Sequence, residues 1–167
     1  MGVMRFGYTH AHFTDPIGTF EHSNYDMEDA LVALIAGANT TIRLLSYSLP
    51  TWNRDWFLFD PIEAAINRGV QLEVYGQQHS NVERLVSRHR ASNQIRGWCW
   101  NQERGDLFHI KGIVVDNVRV YIGSANLSQN GIKHSAEWGI VTESPDLCME
   151  LERYINHLIE NGKLQEV

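Results

Sequence analysis

The sequence predicts an α/β fold with a mixed, largely parallel β-sheet that is flanked by helices on both faces. Two observations lead to this class. Through the first half, segments with apolar residues at helical spacing alternate with short strand-like segments, which is typical of parallel strands joined by helices. In the second half, two strand-like segments are separated only by Asp116 and Asn117, which indicates a hairpin. The 167 residues, 43% of them hydrophobic, suffice for one core, so we expect a single domain over residues 1–167.

The predicted elements follow from the spacing of apolar residues. The first helix covers residues 27–36, with Asp26 as a candidate N-cap and Gly37 at its end. Its apolar positions lie on one face and are Met27, Ala30, Leu31, Leu34 and Ile35. Further helices are expected over residues 57–67, 81–90 and 146–160. Strands are expected over residues 41–48, 70–75, 95–100, 107–115, 118–123 and 137–142.

The chain is acidic, with a formal net charge of −6, so it does not attract polyanions at long range. Because affinity for a phosphate backbone usually comes from Lys and Arg, a nucleic-acid substrate would need a local basic patch. The candidates for that patch are Arg84, Arg88, Arg90, Arg96, Arg104 and Lys133. The alternative is that these side chains form an ordinary solvated surface.

No segment has the features of a signal peptide or the roughly 18 apolar residues that cross a bilayer, so we expect a soluble, cytoplasmic protein. Two cysteines, Cys99 and Cys148, are too few for a disulfide framework or a metal site. Cys99 lies in an apolar run and is expected to be a small buried side chain.

The predicted hairpin brings four polar residues together. Because side chains alternate along a strand, His109 and Lys111 share one face. If Asp116 and Asn117 form a two-residue turn, Val115 pairs with Val118 and His109 lies opposite Ser124. Asn126 is then a diagonal neighbour on the same face, roughly 7–8 Å away at Cα. A three-residue turn would shift this register by one.

The chemistry of this group suits a phosphodiester. Lys111 supplies a positive charge, Ser124 and Asn126 supply neutral donors, and Gly123 lets the backbone approach closely. Such donors can stabilise the charge of a pentacoordinate phosphorus transition state. A neutral imidazole at His109 is a competent nucleophile near pH 7. Burying a lysine without a partner is costly, which argues against an ordinary core position for this pair.

A nucleophilic imidazole needs a partner that fixes its tautomer, and a carboxylate serves well. Asp116 is near in sequence, but strand parity points it to the other face, so we expect it to anchor the turn. Glu137, at the start of the next strand, is the better candidate.

These residues resemble the signature of the phospholipase D superfamily, which is His-x-Lys-(x4)-Asp followed by Gly-Ser-x-Asn. Here the signature reads HIKGIVVD over residues 109–116 and GSAN over residues 123–126, with Glu137 where the family has a downstream acid. The similarity extends more loosely over residues 26–160, through TIRLLSYSL and NRGVQLEVYG. The resemblance implies a phospholipase D-like αβα sandwich.

The resemblance also implies a mechanism without metal or cofactor. One histidine attacks phosphorus to give a phosphohistidine, and a second histidine protonates the leaving oxygen and then activates water. The sequence has a single His-x-Lys motif, so the second histidine would come from an identical chain across a two-fold axis. The resemblance therefore implies a homodimer with His109, Lys111, Asn126 and Glu137 as catalytic residues and Lys111, Gly123, Ser124 and Asn126 at the phosphate.

Short single-motif members of the superfamily look mostly like nucleases, so the leading prediction is a metal-independent endonuclease acting on DNA or RNA. A phospholipase or phosphatidyl transferase is the second interpretation, and the acidic composition and the lack of a membrane-docking segment argue against it. A non-catalytic nucleic-acid-binding module is the third. The intact set of His109, Lys111, Asn126 and Glu137 argues against that module.

Several other residues allow more than one interpretation. His10, His12 and His22 could hold a metal, but no acidic or cysteine partner pattern accompanies them. Trp98, Trp100 and Trp138 could stack nucleic-acid bases, although core packing is expected for at least two of them. His134 could line the cleft or lie in a surface loop, and the sequence leaves open whether Trp52 and Trp56 form a rim.

Overall fold

The computed structural model describes residues 5–8, 27–88, 93–101 and 106–167 of the chain. In chain order the elements are β1 (Arg5–Tyr8), α1 (Met27–Ala36), β2 (Thr41–Ser46), α2 (Phe59–Asn67), β3 (Gln71–Gly76), α3 (His79–Arg88), β4 (Ile95–Trp100), β5 (Lys111–Val115), β6 (Arg119–Gly123), α4 (Gln129–Lys133), β7 (Trp138–Glu143), α5 (Pro145–Glu160) and β8 (Leu164–Glu166).

The strands form one eight-stranded sheet in the order β1-β7-β6-β5-β2-β3-β4-β8. Strands β2, β3 and β4 are parallel, and every other neighbouring pair is antiparallel. The mixed α/β class is therefore confirmed, but the expectation that most of the sheet is parallel is wrong. Parallel neighbours need a crossover connection, and here α2 and α3 supply it only for β2, β3 and β4.

Helices cover both faces of the sheet, as the sequence predicts. Helices α1, α2 and α3 pack on one face, in a core that includes Ile113 of β5. Helix α5 packs on the other face, where Val114 of β5 belongs to a second core. The alternation of Ile113 and Val114 shows why β5 is apolar throughout: each face of this central strand is buried.

Where local sequence signals define the ends of an element, the predicted limits agree closely with the structure. Helix α1 and strand β4 have the predicted limits. Helix α5 begins after Ser144, whose hydroxyl accepts the Leu147 N–H, and Pro145 occupies its first turn. The proposed cap of α1, Asp26, lies outside the described residues. Strands β1 and β8 and the short helix α4 are additions to the predicted set.

The β5–β6 hairpin differs from its predicted register by one residue. Val115 pairs with Arg119 instead of Val118, so the turn has three residues and His109 is not placed opposite Ser124. Asp116 and Asn117 both adopt positive φ values of 56°. The Asp116 carboxylate binds the amides of loop 39–41, so a distant loop helps to fix the turn. The strand also begins later than predicted, at Lys111 rather than at residue 107.

Both cysteines are buried, as expected for Cys99, and burial raises the pKa of the Cys99 thiol to about 11. In the described part of the chain, no helix combines the length and the apolar character needed to span a membrane.

Candidate active site

One edge of the sheet gathers the residues that the sequence singles out. Strand β2 ends there at Ser46, which pairs with Lys111 at the start of the antiparallel strand β5. Strand β6 ends there at Gly123, which pairs with Gly139 near the start of β7. Antiparallel strands thus place the beginnings of β5 and β7 beside the end of β6, so the two sequence motifs and Glu137 meet at this edge.

His109 lies just before β5, and its side chain is exposed. Two neighbours fix the backbone of this segment: the Phe108 N–H donates to Gln77 Oε1 at 2.7 Å, and the Tyr47 N–H donates to the Ile110 carbonyl at 3.1 Å. The Tyr47 ring lies against the imidazole, with centroids 5.1 Å apart. The imidazole is therefore held beside the sheet edge and is accessible to a substrate.

The Lys111 side chain is buried, with 7% of its surface exposed. Its amine donates to the His109 carbonyl at 3.1 Å and lies 5.7 Å from the centroid of the Tyr47 ring. Burial lowers the pKa of Lys111, and the negative charge of Glu137 partly opposes this shift.

Ser124 links β6 to the acid that precedes β7. Its hydroxyl donates to the Glu137 carboxylate and accepts the Trp138 N–H at 3.1 Å. Its own N–H donates to the Trp138 carbonyl at 2.9 Å. The structure thus joins Ser124 and Glu137 directly, a contact that the sequence analysis did not foresee.

The chain after Ser124 is held against the end of β2. Asn126 Oδ1 accepts the Ser48 N–H at 3.4 Å, and the Leu127 N–H donates to Ser46 Oγ at 3.2 Å. The Trp56 indole N–H donates to the Leu127 carbonyl at 2.8 Å. These bonds fix Asn126 near the edge that carries Lys111.

Gly123 is required by packing. A Cβ at this position would collide with the Tyr121 hydroxyl and would lie 2.8 Å from the Trp138 carbonyl oxygen. The Tyr121 ring also fills the space where a Cβ of Gly139 would be. The two glycines therefore leave room for the buried Tyr121 ring at the sheet edge. Packing against Tyr121 thus accounts for the glycine at position 123.

Asp116 lies at the far end of β5 from Lys111, and its carboxylate accepts hydrogen bonds from the amides of Asn39, Thr40 and Thr41. Burial alone would raise the pKa of this carboxyl, but the bonds from loop 39–41 outweigh it and hold the pKa well below the usual range. The predicted structural role of Asp116 agrees with this position.

The aromatic candidates differ in how far each side chain is buried. Trp98 is buried and stacks on Tyr75, with centroids 4.8 Å apart, while Trp52 and Trp56 are buried in the core and do not form an exposed rim. Trp100 packs partly buried against the α5 core. Trp138 is 58% exposed and follows Glu137 at the site.

The remaining candidates lie on other elements of the fold or outside the described residues. Arg96 pairs with Glu166 and Lys133 pairs with Glu28, whereas Arg84 and Arg88 are exposed on α3. His134 is exposed at the end of α4. Among the described residues, no group of three or more His, Cys, Asp or Glu side chains could hold a metal ion. The candidates that lie outside the described ranges are His10, His12, His22, Arg90 and Arg104.

Sequence reasoning missed Tyr47, Ser48 and Gln77. Tyr47 and Ser48 follow β2, and Gln77, which is buried, follows β3. The signal that could have found them is their position at the carboxyl ends of adjacent parallel strands, where α/β folds place their functional residues.

This fold and this arrangement of motifs define a phospholipase D-like protein. The family model described as "Cardiolipin synthase, PLD-like domain" matches residues 31–159. The chain therefore belongs to this phospholipase D-like family.

Two curated relatives are similar in sequence. The DISARM protein DrmC of Bacillus paralicheniformis is 23% identical over a 138-residue alignment that covers 80% of this chain and 56% of that protein. The 5'-3' exonuclease PLD3 of Rattus norvegicus is 24% identical over a 150-residue alignment that covers 83% of this chain and 30% of that protein. The chain thus spans little more than half of one relative and less than a third of the other.

Solved structures share the fold. The phospholipase D family member Nuc of Salmonella typhimurium has a TM-score of 0.67 at 22% identity, covering 100% of this chain and 99% of Nuc. NucT of Helicobacter pylori has a TM-score of 0.65 at 17% identity, covering 96% and 97% of the two chains. The phosphatidylserine synthase of Haemophilus influenzae has a TM-score of 0.70 at 14% identity, covering 99% of this chain and 39% of the synthase.

Proposed function

We propose that this chain is a metal-independent endonuclease that hydrolyses DNA or RNA phosphodiester bonds through a phosphohistidine at His109. The observation that carries the proposal is the exposed His109 imidazole beside the buried amine of Lys111, at the sheet edge where Ser124 and Asn126 also lie. A nucleophile next to preorganised donors of positive character suits attack on a phosphodiester.

The first step forms a bond between an imidazole nitrogen of His109 and phosphorus. The bond from phosphorus to the leaving oxygen breaks, and that oxygen takes a proton from the second histidine, His109 of the partner subunit. Lys111 and Asn126 bind the non-bridging oxygens, and Lys111 offsets their negative charge. Glu137 orients the imidazole, and Ser124 holds Glu137 in place.

The second step releases the product. Water attacks phosphorus and gives its proton to the partner's His109, while the bond between phosphorus and the His109 nitrogen breaks. Both histidines return to their starting protonation states. Because each chain has one His-x-Lys motif, we propose a homodimer in which two single catalytic domains form one shared site. The cytoplasmic location expected from the sequence stays a prediction.

A second candidate function is phospholipid hydrolysis or phosphatidyl transfer. The family model is described by a cardiolipin synthase, and one structural neighbour is a phosphatidylserine synthase. The name of the relative PLD3, a 5'-3' exonuclease, supports a nucleic-acid substrate instead. Histidine attack on a phosphodiester would serve either substrate class, so a substrate panel must separate them. A non-catalytic nucleic-acid-binding module is the third candidate, and it would bind without cleaving.

The test is incubation of the purified chain with single-stranded DNA, plasmid, RNA, bis(p-nitrophenyl) phosphate and phosphatidylglycerol vesicles, each with excess EDTA. We expect cleavage of nucleic acid that EDTA does not reduce and that His109→Ala abolishes. His157→Ala is the matched control because this histidine is exposed on α5. Cleavage that EDTA abolishes would contradict the metal-free mechanism, and turnover of the phospholipid alone would favour the second candidate.

A further inference from the structure

A surface groove of about 430 Å³ opens between helix α3 and the segment that follows β2. Its lining residues are Thr51, Trp52, Glu83, Arg84, Ser87 and Arg88. Buried Trp52 packs against Trp56 and Phe59, with ring centroids 5.3 and 5.2 Å apart, so one wall of the groove belongs to the core. The hydrophobic core therefore holds one wall of the groove in place.

Two arginines give the groove its charge. Arg84 and Arg88 lie four residues apart on α3 and thus share a helix face, and both are exposed. The Arg88 guanidinium is held 5.7 Å from the centroid of the Phe59 ring. Glu83 also lines the groove, and its carboxylate lies 3.4 Å from the His79 ring nitrogen.

Arg84 and Arg88 differ from several other basic side chains on this surface. Six basic side chains in the described ranges contact a carboxylate, and they are Arg43, Arg96, Arg119, Lys133, Arg153 and Lys163. Arg84 and Arg88 form no ion pair with any described residue. In a chain with a formal net charge of −6, two neighbouring arginines without a carboxylate partner among the described residues form a local positive site that suits an anion.

The groove has a fixed relation to the candidate active site. Tyr47, whose ring contacts His109, is four residues from Thr51 in the groove, and four residues span at most about 14 Å. The Leu49 carbonyl accepts a hydrogen bond from Asn81 Nδ2 at 2.6 Å, which ties this segment to α3. The segment that follows β2 therefore connects the residue beside His109 with the groove that the two arginines line.

We propose that Arg84 and Arg88 bind the phosphate backbone of a nucleic-acid strand whose scissile phosphate lies at His109. The inference rests on the proposed function and specifies that the substrate is a polymer. The groove contacts the strand away from the bond that is cleaved, so a substrate too short to extend from His109 to the arginines, such as a dinucleotide, does not engage it.

The test compares short and long substrates in the Arg84→Ala/Arg88→Ala double variant. We expect unchanged cleavage of a dinucleotide and of bis(p-nitrophenyl) phosphate, and a KM for a 20-nucleotide single strand that rises about tenfold or more. The slope of log K against log salt should fall by about 1.4, the effect of two lost phosphate contacts on a single strand. Arg153→Ala, an exposed arginine on α5, is the matched control.

An unchanged KM and salt slope for the long strand would overturn the proposal, as would equal losses on short and long substrates. Binding of the same strand to His109→Ala chains, with and without the two arginine substitutions, is measured by fluorescence anisotropy. This measurement tests the groove even if no nucleic acid is cleaved, so the failure of the proposed function is distinguishable. Loss of binding to phosphatidylglycerol vesicles without loss of binding to the strand would also overturn it.

Discussion

The Tyr47 ring lies against the His109 imidazole, with ring centroids 5.1 Å apart and planes inclined by 54°. The same ring lies 5.7 Å from the Lys111 amine. One residue at the end of β2 thus contacts both members of the His-x-Lys motif. We interpret Tyr47 as a positioning residue for the proposed nucleophile.

Replacing Tyr47 by alanine should lower kcat about 10- to 100-fold, because the imidazole loses the ring that limits its orientation. Tyr47→Phe keeps the ring and should retain most of the activity. Steady-state kinetics with a short substrate and circular dichroism of both variants check this. A rise in KM with unchanged kcat in Tyr47→Ala would show that the ring binds substrate instead.

Replacing Lys111 by methionine should lower kcat about 100- to 1,000-fold, because a donor aimed at the transition state is lost. Folding should survive, since methionine fills a similar buried volume without a charge to desolvate. Because burial lowers the pKa of Lys111, the active charged form exists below that pKa and is lost as pH rises through it. The alkaline limb of the rate profile should therefore begin at lower pH than an ordinary lysine gives, and Lys111→Arg should lack it. An alkaline limb retained in Lys111→Arg would assign it to another group.

Replacing Asp116 by asparagine should destabilise the fold by about 2–3 kcal/mol at pH 7, because charge-assisted hydrogen bonds to loop 39–41 are lost. The pKa of Asp116 in the folded protein is depressed, so its contribution is present above the unfolded value of about 3.9 and is lost as pH falls through the folded value. Urea unfolding at pH 7 and at about pH 3 should show a smaller difference from the parent in acid. Full loss of kcat in a folded Asp116→Asn chain would instead assign it to catalysis.

A mixed dimer tests the shared site. Chains with two different affinity tags, one of them His109→Ala, are coexpressed and purified through both tags. Because each reaction needs a histidine from each chain, we expect a mixed dimer with far less than half of the parental kcat. Half of the parental activity would mean that each chain works alone, and failure to recover any doubly tagged species would argue against the dimer.

The sequence predicts best what depends on local spacing. Helix α1 matches its predicted limits because apolar residues repeat along one face and Gly37 follows its last residue. The site motif is also local, so the spacing of His109 and Lys111 along the chain is enough to recognise it. The hairpin register is off by one because Asp116 is bound to loop 39–41, more than 70 residues away in the chain.

Non-local pairing accounts for the residues that the sequence did not reveal. Tyr47 reaches His109 only because β5 pairs antiparallel with β2, which brings Ser46 beside Lys111. The same pairing makes the sheet less parallel than expected. The contact of Ser124 with Glu137 likewise follows from the pairing of β6 with β7, which no spacing within either strand reveals.

The most direct measurement is mass spectrometry of the chain quenched in alkaline denaturant during turnover of single-stranded DNA with EDTA present. We expect a phosphoryl-linked adduct on the peptide that contains His109, absent from His109→Ala and present in His157→Ala. Nucleic-acid cleavage with no adduct on that peptide, or with an adduct on another residue, would contradict His109 as the nucleophile.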